Sequence, residues 1–271
     1  MDQLSAHLER GWDLVARGNT QGAALSAERA LELDPESAEV HNLVGYVAAL
    51  NGESEEALDA YQQAIELDET YVEAMLNAAE LLVHPIGDFD EALRMCDTIL
   101  DITDYTDEVV DALLLKFEAL VARGQREEGL KLLRNLPEGP YENPAQSYLA
   151  ARAFFEAGDV ERASKLLESA LAVDPQHPEA NYYAGLVAED RGDNHAAVAA
   201  FLRTRQLELE AGVPPWSPNA ETFLLFTRKA LETIANDPEL APLIQSAEIY
   251  IADVPGAEVV VEGLDPRSLV L

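Results

Sequence analysis

Lysine and arginine are scarce in this chain, 18 against 51 aspartates and glutamates, for a net charge of −33. Between Ala30 and Leu93 there are 16 acidic residues and no lysine or arginine at all. Such a surface repels polyanions, so neither a nucleic acid nor an anionic membrane is an expected partner. Although 48% of the residues are hydrophobic, no run approaches the roughly 18 to 20 apolar residues that span a bilayer. Cysteine is almost absent. Cys96 alone excludes an internal disulfide and, with no basic cluster beside it, reads as a small buried hydrophobe on a helix. The opening MDQLSAHLERGWD has no apolar signal-peptide stretch, which makes a cytoplasmic protein the expectation.

Motifs that carry chemistry are missing as well. There is no glycine-rich phosphate loop, no G-x-S-x-G elbow and no Cys-x-x-Cys pair. DITDYTDEVVD, from Asp101, has the acidity of a calcium loop but lacks the glycine its sixth position needs for a sharp turn. His7 and His41 hold the same place in successive segments and His84 follows, a conceivable ladder, while His177 and His195 stand apart. Neighbouring helices lie about 10 Å apart and zinc ligands within about 2.1 Å of the metal, so ordinary helix residues are the better reading. No catalytic residue, metal or cofactor is expected, and the chain reads as something other than an enzyme.

What is present is a period. Gly11 and Gly45, Gly18 and Gly52, Ala23 and Ala57, and Ala30 and Ala64 are each 34 residues apart, and Gly158 to Gly192 and Ala163 to Ala197 repeat the interval. Six helix pairs follow, starting near Leu4, Ala38, Val72, Glu108, Pro144 and Pro178. A glycine stands in the turn of each: Gly18, Gly52, Gly87, Gly124, Gly158 and Gly192. The expectation at that register is a helix ended by a left-handed residue. Asp34-Pro35 and Asp174-Pro175 close second helices, because proline has no amide hydrogen to continue them.

These residues closely resemble tetratricopeptide repeats over roughly residues 4 to 211. The family's small residue midway along the first helix matches Gly11, Gly45, Ala79, Ala151 and Gly185. Its second-helix small positions match Ala23, Ala57, Ala92, Gly129, Ala163 and Ala197, then Ala30, Ala64 and Ala170. The resemblance implies an all-α fold, a right-handed α-α superhelix of about six helix pairs. Units three and four depart from the pattern. Phe117 is large where the first helix should be small, Ile99 and Leu136 replace the last alanine, and an extra residue sits around VHPIGD. A local change of geometry is therefore expected between residues 84 and 141, with NLPEGPYENP a longer connection.

The repeat register stops after Leu209. The organisation reads as a solenoid over 1–211, a linker and capping helix over 212–236, and a β-prone tail over 237–271. The capping helix is expected over residues 217–235, with Phe223, Phe226, Ala230, Leu231 and Ile234 on one face. In the tail, Ile249 and Ile251, then Val259 to Val261, suggest a hairpin across Pro255-Gly256. The stretch from FTRKALETIA to the end also resembles the beginning of the minimal zincin-like metallopeptidase family, but contains no His-Glu-x-x-His for zinc and its water.

If the tetratricopeptide resemblance holds, first helices line a concave face. The candidate peptide-binding residues there are Trp12, Asn42, Tyr46, Leu76, Glu80, Leu114, Glu118, Tyr148, Arg152 and Tyr182, with Glu39, Glu73, Asp111 and Glu179 one turn earlier. The paired lysines of the family's chaperone-tail clamp are absent. The chemistry instead suits a basic or amphipathic protein segment, with apolar anchors on the tyrosines and bases on the acidic rim. The leading expectation is a non-enzymatic interaction scaffold. Two others stand beside it: the regulatory or targeting region of a metallopeptidase-like protein, and a salt-adapted solenoid that self-associates.

Overall fold

The computed structural model describes residues 3–141, 143–212, 220–236, 241–242, 257–261, 265 and 267. They divide into two compact units, Met1–Asp159 and Val160–Leu271. In the first unit the helices run α1 (Gln3–Ala16), α2 (Thr20–Leu33), α3 (Ala38–Leu50), α4 (Ser54–Leu67), α5 (Val72–Leu81), α6 (Phe89–Ile102), α7 (Thr106–Ala122), α8 (Arg126–Leu132) and α9 (Pro144–Glu156). The second unit contains α10 (Val160–Val173), α11 (Pro178–Asp190), α12 (Asn194–Ala211), α13 (Ala220–Ala235) and α14 (Ala257–Val261). No helix among the described residues is long and apolar enough to cross a membrane.

The turn glycines behave as their register predicts, all six with φ between +69° and +84°. At Gly18 the amide donates to Val15 O (2.9 Å) and the next amide, of Asn19, donates to Leu14 O (2.9 Å). The same pair of bonds recurs at Gly52, Gly124, Gly158 and Gly192. Orphaned carbonyls at the end of each first helix are thus satisfied within the turn. Three second helices, α2, α6 and α12, then start on side-chain caps: Asn19 accepts from the Gly22 amide (3.0 Å), Asp88 from Glu91 (3.1 Å) and Asp193 from Ala196 (3.0 Å). A three-residue turn with a stop on one side and a start on the other folds the two helices back antiparallel.

Small residues let these helices close. Ala23, Ala30, Ala57, Ala64, Ala92 and Ala163 have no exposed surface. A Cβ on Gly11 would lie 2.5 Å from a Leu43 methyl, and one on Gly185 would lie 2.3 Å from the Phe201 ring. Both distances are below van der Waals contact, so a larger residue at either place would make the side chain of the other helix shift. In the first unit the first helices α1, α3, α5, α7 and α9 pack side by side in that order, each second helix through α8 flanking its own first helix.

Units three and four depart as expected, and in physically distinct ways. The extra residue near VHPIGD is absorbed where α5 widens into a π-type turn at Leu82–Ile86 and then breaks at His84, whose backbone is extended (φ −143°, ψ 119°). Phe117 does not force its helices apart, because the second helix offers Gly129 opposite it: a Cβ there would lie 3.1 Å from the Phe117 ring. The second helix of that unit is short, seven residues followed by one 3-10 turn at Leu133–Asn135. The proline-rich connection after it is pinned by buried Tyr141, whose hydroxyl donates to Pro137 O (2.7 Å).

In the second unit two expectations need correction. The helix assigned to capping is present as α13, but Phe223, Leu224, Leu225 and Phe226 on it are exposed. Fully buried against Ala197 and Phe201 of α12 is instead Val260. The run Val259 to Val261, expected as a strand, is helical in α14. Packing of Val260 on the helix pair outweighs the modest β-preference of three valines. Ile249, Ile251 and the proposed hairpin turn lie outside the described residues.

Candidate functional site

The layer of first helices in Met1–Asp159 brings most candidate residues onto one face. Trp12 of α1 meets Tyr46 of α3 edge to face, ring centroids 5.3 Å apart at 67°, both partly exposed. Leu76 on α5 is half-buried beside Val72 and Met75. Glu80, one turn on, is exposed, as are Glu39 and Glu73.

Two candidates belong to the core. Asn42 has no exposed surface; its amide nitrogen donates to Tyr71 Oη (3.1 Å) and its oxygen accepts from Asn77 Nδ2 (3.0 Å). A buried amide is stable only when paired in this way, so Asn42 ties α3 to α5 and does not reach a ligand. Leu114 on α7 is buried, 5% exposed, and is likewise unavailable.

Farther along the face, the Glu118 carboxylate on α7 is shared by two side chains from other segments. His84 Nε2 lies 3.0 Å from one oxygen and Arg152 Nη1 of α9 lies 3.8 Å from the other, while Arg152 Nε donates to Glu156 (3.1 Å). Beside them buried Gln146 donates through Nε2 to Asp111 Oδ1 (2.9 Å) and to Asp107 O (3.0 Å). Burial pushes the Asp111 carboxyl above its usual range, against the opposing effect of that hydrogen bond. Tyr148 is half-buried on α9. Gln146 and Tyr71 were not singled out by sequence, whereas Asn77 resembled part of the family's clamp and lies instead in this buried pairing with Asn42. Polar residues at the helix-layer contacts carry no periodic signature that separates them from surface ones.

The histidines do not converge. His41 Nε2 lies 2.9 Å from Pro35 O, His84 pairs with Glu118, and His177 caps α11 by accepting from the Ala180 amide (3.1 Å). Among the described residues no group of three His, Cys, Asp or Glu side chains is placed to hold a metal ion. Cys96 is fully buried, and desolvation pushes its thiol up to about 12.

Tyr182 belongs to Val160–Leu271 and has a different environment. Its hydroxyl donates to Asp265 Oδ2 (2.9 Å), and the Arg267 guanidinium carbon stands 4.5 Å from its ring centroid. Arg267 Nε also donates to Glu208 Oε1 (2.8 Å), and its Nη2 lies 3.5 Å from Glu179 Oε1. Burial, then the bond to Asp265, pushes the Tyr182 hydroxyl up to about 12. Sequence reasoning named Tyr182 and Glu179 for this face and put Val260 in a β-prone run, but did not name Glu208, Asp265 or Arg267. A contact between residues 83 apart, outside any repeat register, leaves no local pattern.

Comparison with known proteins agrees with this architecture. The tetratricopeptide repeat family model matches residues 8–72 and 148–207. No curated protein sequence matches the chain. Among solved structures, PilF of Pseudomonas aeruginosa is similar at 17% identity with a TM-score of 0.62, covering 82% of this chain and 97% of that one. The type IV pilus biogenesis factor PilW is similar at 19% identity and TM-score 0.59, covering 82% and 98%. The APC/C hetero-tetramer Cut9-Hcn1 matches at 14% identity and TM-score 0.64, covering 76% of this chain and 40% of that one. At these identities the likeness speaks for the fold. Repeat spacing, turn geometry, family match and structural likeness agree that residues 8–72 and 148–207 are tetratricopeptide repeats.

Proposed function

We propose that this protein is a non-enzymatic adaptor that holds a basic or amphipathic segment of another protein against its first-helix face. The observation that carries the reading is on α1, α3 and α5. There a partly exposed aromatic pair, Trp12 and Tyr46, stands beside exposed Glu39, Glu73 and Glu80, within a stretch where no lysine or arginine occurs from Ala30 to Leu93. Aromatic rings offer large contact area at little entropic cost, and exposed carboxylates steer and orient a cationic segment. Leu76, Glu118, Tyr148 and Arg152 extend the accessible set; Asn42 and Leu114 leave it. Glu118 shows the relevant chemistry within the chain, since its carboxylate already takes up Arg152.

The test is affinity capture from a lysate of the source cell at low and moderate salt, with retained proteins identified by mass spectrometry. A partner with a basic segment, released as salt screens the carboxylates and lost about tenfold on Tyr46→Ala, is the expected result. Capture that ignores both salt and Tyr46→Ala would remove this face from the function.

A further inference from the structure

Three residues distant in sequence from the repeats occupy the last helix pair as a ligand would. Val260 is completely buried between Ala197 and Phe201, with Tyr182 and Leu186 packed around them. Asp265 accepts the Tyr182 hydroxyl, and Arg267 lies over the Tyr182 ring between the carboxylates of Glu208 and Glu179. The Arg267 amide donates to Asp265 Oδ1 (2.8 Å), which holds the two charged residues together.

We propose that this face of α11 and α12 is a recognition site for an arginine-bearing segment of a protein partner, held meanwhile by the chain's own Val260, Asp265 and Arg267, which the partner must displace. The proposal rests on the reading of the protein as a peptide-binding adaptor and names the side chain it selects. A flat guanidinium fits here where an ammonium does not. It stacks on the aromatic face while its edge donates to two carboxylates at once. Tyr182 and Glu179 stand on the first helix of their pair, the element to which the resemblance assigns ligand contact. The Arg267 side chain keeps 30% of its surface exposed, so the contact is open to exchange. Covalent linkage supplies a high local concentration of the internal segment, and even weak contacts then keep the site mostly filled.

The test uses the full chain and a fluorescein-labelled peptide of its own residues 257–267, AEVVVEGLDPR, followed by fluorescence anisotropy. Arg267→Ala in the protein weakens the internal occupant and is expected to tighten binding of the free peptide about tenfold, the factor for a site closed nine-tenths of the time. Adding Glu208→Gln to that variant, or replacing the peptide's arginine with lysine or alanine, is expected to reverse the gain. Equal affinity for parent and Arg267→Ala proteins, or no binding to either, overturns the proposal. So does a lysine peptide that binds as well as the arginine one. Tyr46→Ala should leave this peptide's affinity unchanged. A protein that captures a partner through Tyr46 but does not respond to Arg267→Ala loses this inference alone, and the converse result loses only the reading of the first unit's face.

Discussion

The second and fourth helix pairs solve one packing problem with opposite choices. In the second, Gly45 on the first helix makes room for the buried Tyr61 ring of the second: a Cβ on Gly45 would lie 2.7 Å from that ring and 3.0 Å from Ala57 O. In the fourth, the ring is Phe117 on the first helix and the gap is Gly129 on the second. What the fold requires is the sum across the contact, one large and one small residue, not a small residue at a fixed place. A departure from the repeat pattern is then tolerated when its partner departs in the complementary direction.

The comparison breaks most severely at the ring. Phe117→Ala leaves a void facing a glycine, and a loss of about 3 to 5 kcal/mol in urea unfolding is expected. Adding Gly129→Leu should recover part of it, as coupled neighbours do; a double variant no better than Phe117→Ala would show that the two residues do not share the space.

Alanine at each glycine gives a smaller and sharper contrast. Gly45→Ala meets a ring and a backbone oxygen that cannot both retreat, and a loss of about 1 to 3 kcal/mol is expected. Gly129→Ala needs only a slight shift of Phe117 and gains up to about 1 kcal/mol of helix preference, so thermal or urea denaturation should find it close to the parent. Equal losses at the two positions would contradict the exchange of roles.

A further effect is read at alkaline pH, in the third pair that separates these two. The Cys96 thiol rises from 9.0 to about 12 through burial, and the Tyr71 hydroxyl rises from 10.0 to about 12 through burial and Glu73. The folded chain keeps protons that the unfolded chain releases, so stability is level below pH 9 and declines between pH 9 and 12. Ellman's reagent at pH 8 should find the native thiol unreactive. Rapid labelling there would mean that α6 opens on its own. Gly45→Ala should speed labelling more than Gly129→Ala.

Much of the fold was legible because the signals were local and periodic. Glycine at a left-handed turn, proline after a helix and alanine at a close approach each act within a few residues, and the 34-residue repeat multiplies them. The site was legible only in part. Spacing placed Trp12, Tyr46, Glu80 and Tyr182 on first helices, yet the same spacing chose Asn42 and Leu114, which lie in the core. Position on a helix face says which side a residue takes; how closely the next helix covers it depends on side chains from elsewhere in the chain.

The sequence by itself determined the all-helical repeat, its turns, its departures in the third and fourth pairs and the acidic character of the surface, since each follows from backbone preference, residue size or charge count. Only the tertiary structure decided that Gly129 answers Phe117, that three valines wind into a helix with Val260 buried, and that Arg267 lies between Glu179 and Glu208. Those outcomes join residues far apart in the chain, where packing and pairing energies summed over several contacts exceed what any local preference contributes.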